Sequence, residues 1–369
     1  MEKKALMIIV GICVGICVVI LAGICIYALN GILVPPTATP LVKDTTTITD
    51  MMGRTLVIPR TIHGVLATAP PTTIAVYILA PDKLMGVNFV PSTIDGRVYM
   101  PEKYQALPNV GGWTMMTPNG NFETFIAMKP DLVFDGEWGV GNISEELTDY
   151  QGKFGNIPVV GVMNAYTISN FDPCIQFMGS ILGENGQAAS LEEFYHRVSS
   201  NVTARVETIP ENERIRVYYA SGPDGLQTAL KGSQHAELIE FAGGENVADF
   251  EMAPAAAFTQ VSMEQVTTWD PDVVIVGDPG FYKTIYNDTL WQPIKAVKNH
   301  RVYLVPQSPF KWFDGPPGLN QIIGIPWTAK IFYPEKFSDM DLPELTKEFY
   351  SKFYHYNLTD DEVNTLLNP

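Results

Sequence analysis

The chain has 369 residues, 46% of them hydrophobic, which is enough for two domains of ordinary size and a well-filled core. Its net charge of −16 gives a surface that repels nucleic acid and offers nothing to anionic lipid, so neither is expected as a partner. A cleft can still differ from the surface around it.

Residues Ala5 to Leu29 carry no charge, follow Lys3 and Lys4, and precede the next basic residue, Lys43. A stretch of about 20 apolar residues spans a bilayer, and the flanking lysines keep the N-terminus inside. An uncleaved transmembrane helix over residues 1–30 is therefore expected, on the cell membrane, with the bulk of the chain extracytoplasmic. A cleaved signal peptide is one alternative. A lipoprotein signal is another, since Leu21-Ala-Gly-Ile-Cys25 has one residue too many before its cysteine. Residues 31–47, with Pro35, Pro36 and Pro40 among threonines, read as a stiff extended linker. Cys13, Cys17 and Cys25 lie in the apolar segment and leave Cys174 alone beyond it, so no disulfide staples the rest. Asn142, Asn201, Asn287 and Asn357 each begin a glycosylation sequon, usable only in a cell that has the machinery.

Residues 48–170 read as an α/β lobe. Strands are expected at Gly64–Thr68, Leu84–Val87, Leu132–Phe134 and Pro158–Val162, with a helix near Thr72–Leu79. Residues 171–210 form a linking helical segment. Within it Leu191, Phe194, Val198, Val202 and Val206 recur on one helical face of Asn185–Glu207, and about 22 helical residues would span roughly 33 Å. Residues 211–369 read as a second α/β lobe with C-terminal helices. Strands are expected at Ile215–Ala220, Val273–Val276 and Arg301–Val305, and a helix near Gln234–Phe241.

The two lobes repeat each other. Asn121-Phe-Glu-Thr-Phe-Ile-Ala-Met-Lys-Pro-Asp-Leu-Val-Phe134 aligns without a gap to Ser262-Met-Glu-Gln-Val-Thr-Thr-Trp-Asp-Pro-Asp-Val-Val-Ile275. In each copy a polar residue caps a short helix, with Ser262 and Gln265 forming a capping box. A proline ends the helix and a β-branched apolar run follows as a buried strand. The architecture expected is two Rossmann-like lobes with parallel sheets, joined by one long helix and preceded by the transmembrane helix.

In open parallel sheets ligands bind beyond the carboxyl ends of the strands. The loops there place aromatic rings beside glycine and proline: Trp113, Trp138, Phe258, Tyr282 and Trp312, with Lys311 supplying positive charge. Those six residues are the candidate ligand contacts. Each ring taken singly could equally close a small satellite core; the gathered set favours a cleft. The five histidines show no metal-ligand spacing, and no nucleophile elbow, phosphate loop or dinucleotide fingerprint follows a strand. No catalytic residue, cofactor or metal is assigned.

These features together resemble the substrate-binding proteins of ABC importers for iron complexes, haem and cobalamin, the class III periplasmic binding proteins. The marks are Thr49-Asp-Met-Met-Gly-Arg-Thr55, Leu107-Pro-Asn-Val-Gly-Gly-Trp113, the two repeats, Gly243-Gly-Glu-Asn246 and Trp312-Phe-Asp-Gly-Pro-Pro317. The resemblance implies two lobes on one long helix and capture of a metal chelate (ferric siderophore, haem or cobalamin type). It also implies delivery to an ABC permease and its ATPase. It carries permease docking onto Glu123 and Glu264, which also suit the first helical turn electrostatically. It carries ligand contact onto Trp113 and Trp312, and onto Phe258. The arginines that grip anionic ferric complexes in some members have no counterpart in Gly315–Asn320, which argues against a highly anionic catecholate. An anchored extracytoplasmic enzyme or sensor on the same scaffold is the alternative function.

Overall fold

The computed structural model describes residues 44–113, 119–136, 143–163, 166–250 and 257–368. Residues 45–369 pack as one unit. The expected membrane span lies outside the described residues. Among the described residues no helix is long and apolar enough to cross a membrane.

A hairpin of β1 (Thr45–Thr49) and β2 (Thr55–Pro59) leads into the first lobe. Asp50 holds its turn. The carboxylate accepts the Arg54 backbone N–H at 2.8 Å, pairs with the Arg54 guanidinium at 2.7 Å, and accepts the Gly161 N–H at 3.0 Å. One buried carboxylate thus pins the hairpin to the sheet.

The first lobe contains β3 (Val65–Ala67), α1 (Pro70–Leu79), α2 (Glu102–Gln105), α3 (Phe122–Met128), β4 (Leu132–Gly136), α4 (Ile143–Phe154) and β5 (Val159–Val162). Its strands are parallel in the order β3-β4-β5. The strand expected at Leu84–Val87 is reduced to two isolated bridges, Val65 to Leu84 and Val87 to Asn109. The segment meets a different neighbour at each end, so no ladder runs along it.

Two helices follow, α5 (Phe171–Leu182) and α6 (Asn185–Val206). The apolar positions read from the sequence of α6 are all buried: Ala188, Leu191, Phe194, Tyr195, Val198, Val202 and Val206. A stripe of this kind contributes about 1.5–3 kcal/mol per large side chain buried, which is why the helix runs unbroken without a side-chain cap at its start.

The second lobe contains β6 (Arg216–Ala220), β7 (Gln227–Thr228), α7 (Glu237–Phe241), β8 (Glu245–Asn246), β9 (Thr259–Gln260), α8 (Met263–Trp269), β10 (Val273–Val276), α9 (Pro279–Thr284), α10 (Lys295–Lys298) and β11 (Val302–Leu304). Four of its strands form a parallel sheet in the order β11-β10-β6-β8. The chain closes with α11 (Gln321–Phe332), α12 (Leu342–Phe353) and α13 (Asp360–Leu367). Helices α5, α11 and α12 pack on α6. One core cluster runs from the first sheet through α6 to the second, and a smaller cluster fills the far side of each sheet.

The sequence repeat is a structural repeat. Asn121 caps α3, accepting from the Glu123 and Thr124 N–H groups, and Ser262 with Gln265 forms the full capping box on α8. Each helix ends on a left-handed residue before its proline, Lys129 at φ 55° and Asp270 at φ 39°. The next aspartate then anchors the first strand of its own sheet. Asp131 accepts the His63 N–H at 2.7 Å, and Asp272 accepts the Arg216 N–H at 3.1 Å.

The loops at the carboxyl ends of the strands meet along a seam between the lobes. The Ile168 N–H, after β5, donates to Glu237 at the start of α7 at 3.0 Å. The Tyr99 N–H donates to the Ser308 hydroxyl at 3.0 Å, and the Ser92 N–H to the Pro309 carbonyl at 2.9 Å. Phe89 meets Phe310 edge to face at 4.9 Å.

Candidate functional site

The carboxyl edge of the second sheet gathers a compact polar cluster. Strand β6 delivers Tyr219, whose hydroxyl lies 3.5 Å from Asp314 Oδ2. Asp314 is buried and its Oδ1 lies 2.7 Å from His235 Nδ1. Where the carboxylate accepts in this pair, Nδ1 donates, and Nε2 lies on the opposite side of the ring. The half-buried Phe258 ring stands 5.2 Å from the His235 ring and 6.1 Å from Tyr219. Burial, reinforced by the Asp314 charge, lifts the Tyr219 phenol well above its ordinary range and keeps it neutral. Beyond the end of β10, Lys311 Nζ donates to the Gly277 carbonyl at 3.0 Å. A Cβ on Gly277 would fall 2.7 Å from the Tyr219 hydroxyl, so glycine is what lets strand and loop approach this closely.

The loop from Pro306 to Asn320 carries Lys311 and Asp314 and is held from below. The Asn320 amide donates to the Lys311 and Pro316 carbonyls at 2.6 and 3.0 Å, and the Gln321 amide to the Phe313 carbonyl at 2.9 Å. Both amides belong to the start of α11. The loop that carries Lys311 and Asp314 is therefore fixed by hydrogen bonds to the helix behind it.

The carboxyl edge of the first sheet presents Thr68, Asn88 and Asp135. The Thr68 hydroxyl donates to Asp135 Oδ1, and the Asn88 amide to the Ala67 carbonyl at 3.0 Å.

The structure brings together three of the predicted ligand contacts only in part. Phe258 and Lys311 both border the Tyr219 cluster. Trp312 follows Lys311 in the chain but is fully buried, with its indole N–H donating to the Tyr350 hydroxyl at 3.2 Å. Trp113 is half-buried in an aromatic satellite core, 4.4 Å from Phe122 and 5.1 Å from Phe125 between ring centres. Tyr282 packs against the outer cluster of the second lobe with Tyr286, away from Phe258. Trp138 lies outside the described residues. Glu123 and Glu264 occupy the same second position of α3 and α8 and are exposed. Sequence reasoning missed His235, Asp314 and Asp135. The His235–Asp314 pair spans 79 residues, so no local spacing announces it.

Known proteins bear on this arrangement. Residues 94–309 match the family described as periplasmic binding protein. The molybdate-binding protein MolA of Haemophilus influenzae is 28% identical over 342 residues, covering 86% of this chain and 93% of that protein. A vitamin B12-binding protein of Vibrio vulnificus is 25% identical over 260 residues, covering 69% of this chain and 85% of that protein. Among solved structures, an ABC transporter solute-binding protein from Sulfurospirillum deleyianum superposes with a TM-score of 0.80 at 30% identity. That match covers 88% of this chain and 99% of the other. The chain belongs to the periplasmic binding protein family and is a solute-binding protein of the ABC-transporter class, not an enzyme.

Proposed function

We propose that this protein captures a metal chelate (ferric siderophore, haem or cobalamin type) between its lobes, from a membrane-tethered position outside the cytoplasm, and delivers it to an ABC permease served by its ATPase. The observation that carries the reading is the His235, Asp314, Tyr219, Phe258 and Lys311 cluster at the carboxyl edge of β6 and β10, beside the seam between the lobes. An oriented imidazole, a lysine and an aromatic face suit a solute with an oxygen-rich, metal-centred surface. Glu123 and Glu264 are the proposed docking residues for the permease. The tether is the apolar segment Ala5–Leu29.

A second ligand class, a compact metal oxyanion, is favoured by one observation. Trp113 and Trp312 are committed largely to packing, which leaves less aromatic surface for a planar macrocycle. The Haemophilus relative named for molybdate fits that class.

The ligand reading predicts that the full chain in detergent binds one of four probes: molybdate, cyanocobalamin, haemin or a ferric hydroxamate. Replacing His235 or Phe258 with alanine should cost about 1–3 kcal/mol, roughly a tenfold loss or more by calorimetry. Failure of all four probes sinks the reading. Wild-type affinity in both variants moves the site elsewhere.

The tether makes a separate prediction. Full-length protein should sediment with membranes, and protease added to intact cells should digest everything beyond residue 44. A full-length chain recovered from the soluble cytoplasm overturns it.

A further inference from the structure

We propose that Asp135 is a ligand-recognition residue on the first lobe, presenting a proton from its free carboxyl oxygen to an oxygen of the bound solute. This rests on the capture of an oxygen-bearing solute argued above.

Asp135 stands where the repeat calls for an apolar side chain. The gapless alignment of the two copies sets Leu132 to Val273, Val133 to Val274, Phe134 to Ile275 and Asp135 to Val276. Both are fully buried, Asp135 at the second-last position of β4 and Val276 at the last position of β10. A carboxyl in a sheet interior is a stability cost that the valine of the other copy avoids. Its presence at one edge only points to a use on that lobe.

Its hydrogen bonding is incomplete. Oδ1 accepts from the Thr68 hydroxyl, and Oδ2 has no partner among the described residues. The neighbouring Asn88 repeats the pattern. Its amide donates to the Ala67 carbonyl, and its buried Oδ1 has no partner among the described residues. Two unsatisfied buried oxygens thus flank residues 67 and 68, at the end of β3 and next to the end of β4. Orphaned polar atoms in a native interior call for an explanation. At the carboxyl edge of a parallel sheet, a ligand is the natural one.

The carboxyl meets charges from several elements. Glu146 and Tyr150 face it from α4, Arg54 from the β1–β2 hairpin, and Tyr166 from the loop after β5. Burial is the largest influence and pushes the Asp135 carboxyl up to about 7. Glu146 adds to the rise, while Thr68 and Arg54 oppose it. A neutral carboxyl can donate from Oδ2 where a carboxylate could only accept. Asn88 Oδ1 then offers the complementary acceptor. Raising the pH removes the donor and sets a negative charge against the solute's oxygen.

The folded state holds the proton more tightly than the unfolded chain, so Asp135 burdens the fold least below about pH 4. Its contribution is lost as pH rises through about 7.

The experiment uses the full chain and the same four probes, by calorimetry between pH 6 and 8.5, with Asp135→Asn and Asp135→Val. Asparagine keeps a donor and cannot titrate. Valine is the residue of the other copy. The proposal expects wild-type affinity for the bound probe to fall about tenfold or more across this range. Asp135→Asn should hold near the pH 6 value throughout, and Asp135→Val should be weak at every pH. Unfolding should show Asp135→Val more stable than wild type, by a margin that grows from pH 4 to 7. A merely structural carboxyl would not combine gained stability with lost affinity. Asp135→Val binding as wild type does at pH 6, or a pH profile kept intact in Asp135→Asn, overturns the proposal alone. Asp135→Asn leaves every other group of the site in place, so a profile that it abolishes belongs to Asp135. If no probe binds wild-type protein, the metal-solute reading itself fails and this proposal falls with it.

Discussion

Replacing Trp312 with alanine is expected to cost about 3–5 kcal/mol of folding stability, the range for removing a fully buried aromatic side chain. The ring has no exposed surface, and its N–H donates to Tyr350 at 3.2 Å. Tyr350 is itself fully buried, with its hydroxyl donating to the Ser308 carbonyl. Truncation therefore opens a cavity and strips a partner from a buried phenol at the same time. The damage should reach the seam, because Ser308 and Pro309 hold Tyr99 and Ser92 of the first lobe. Trp312→Phe separates the two effects. It keeps much of the apolar volume while removing the N–H, for about 1–3 kcal/mol. Denaturant unfolding monitored by far-ultraviolet dichroism gives both numbers, provided the slope with denaturant is unchanged. Affinity should then follow the folded fraction. A Trp312→Ala protein of wild-type stability that no longer binds solute would assign the ring to the site rather than to packing.

The contrast between Trp312 and α6 shows which features the sequence makes readable. The α6 stripe is a local signal: each apolar residue predicts its neighbour three or four positions on, and all of the predicted face is buried. The repeat is readable for the same reason, since caps, left-handed ends and proline stops are consecutive choices of the chain. Which side of a loop a tryptophan takes is decided by partners far away, such as Tyr350 for Trp312 and Phe154 for Trp113. The aromatic enrichment of the loops was visible; its division between site and packing was not. The His235–Asp314 pair exists only once the Pro306–Asn320 loop has folded back over the end of β6. Asp135 lies between these cases. Its break in an apolar run is plain in the sequence, but only the sheet shows that the side chain is buried and half-satisfied. Leu84–Val87 shows the limit in the other direction. Apolar and strand-like in sequence, it forms only bridges, because pairing needs a neighbour that runs alongside.

Replacing both Glu123 and Glu264 with glutamine is expected to leave solute affinity near wild type and to bring transport down to background. The two residues occupy the same second position of α3 and α8, equivalent helices of the repeat, and both are exposed. Neither has an ion-pair partner among the described residues. Neither belongs to the His235 cluster or to the Thr68, Asn88 and Asp135 edge. A protein built from two copies of one motif offers such residues as a matched pair, and a transporter with two similar halves can receive them with one basic site each. If each contact is a hydrogen bond to a charged group, losing one costs about 1.5–3 kcal/mol. Losing two then weakens docking by at least about a hundredfold. Each single variant should retain intermediate transport. Salt should reduce wild-type transport and have little further effect on the double variant, as expected of exposed charges that steer encounter. Stability needs its own control, because a first-turn carboxylate contributes about 0.3–1 kcal/mol to its helix. The glutamines keep the side-chain length, and Asn121 and Ser262 still cap the helices, so unfolding should shift by no more than that. Permease-stimulated ATP hydrolysis in proteoliposomes, at saturating solute, isolates docking from capture. A double variant that stimulates hydrolysis as wild type does would end the docking role and leave helix-dipole stabilisation as the account of both residues.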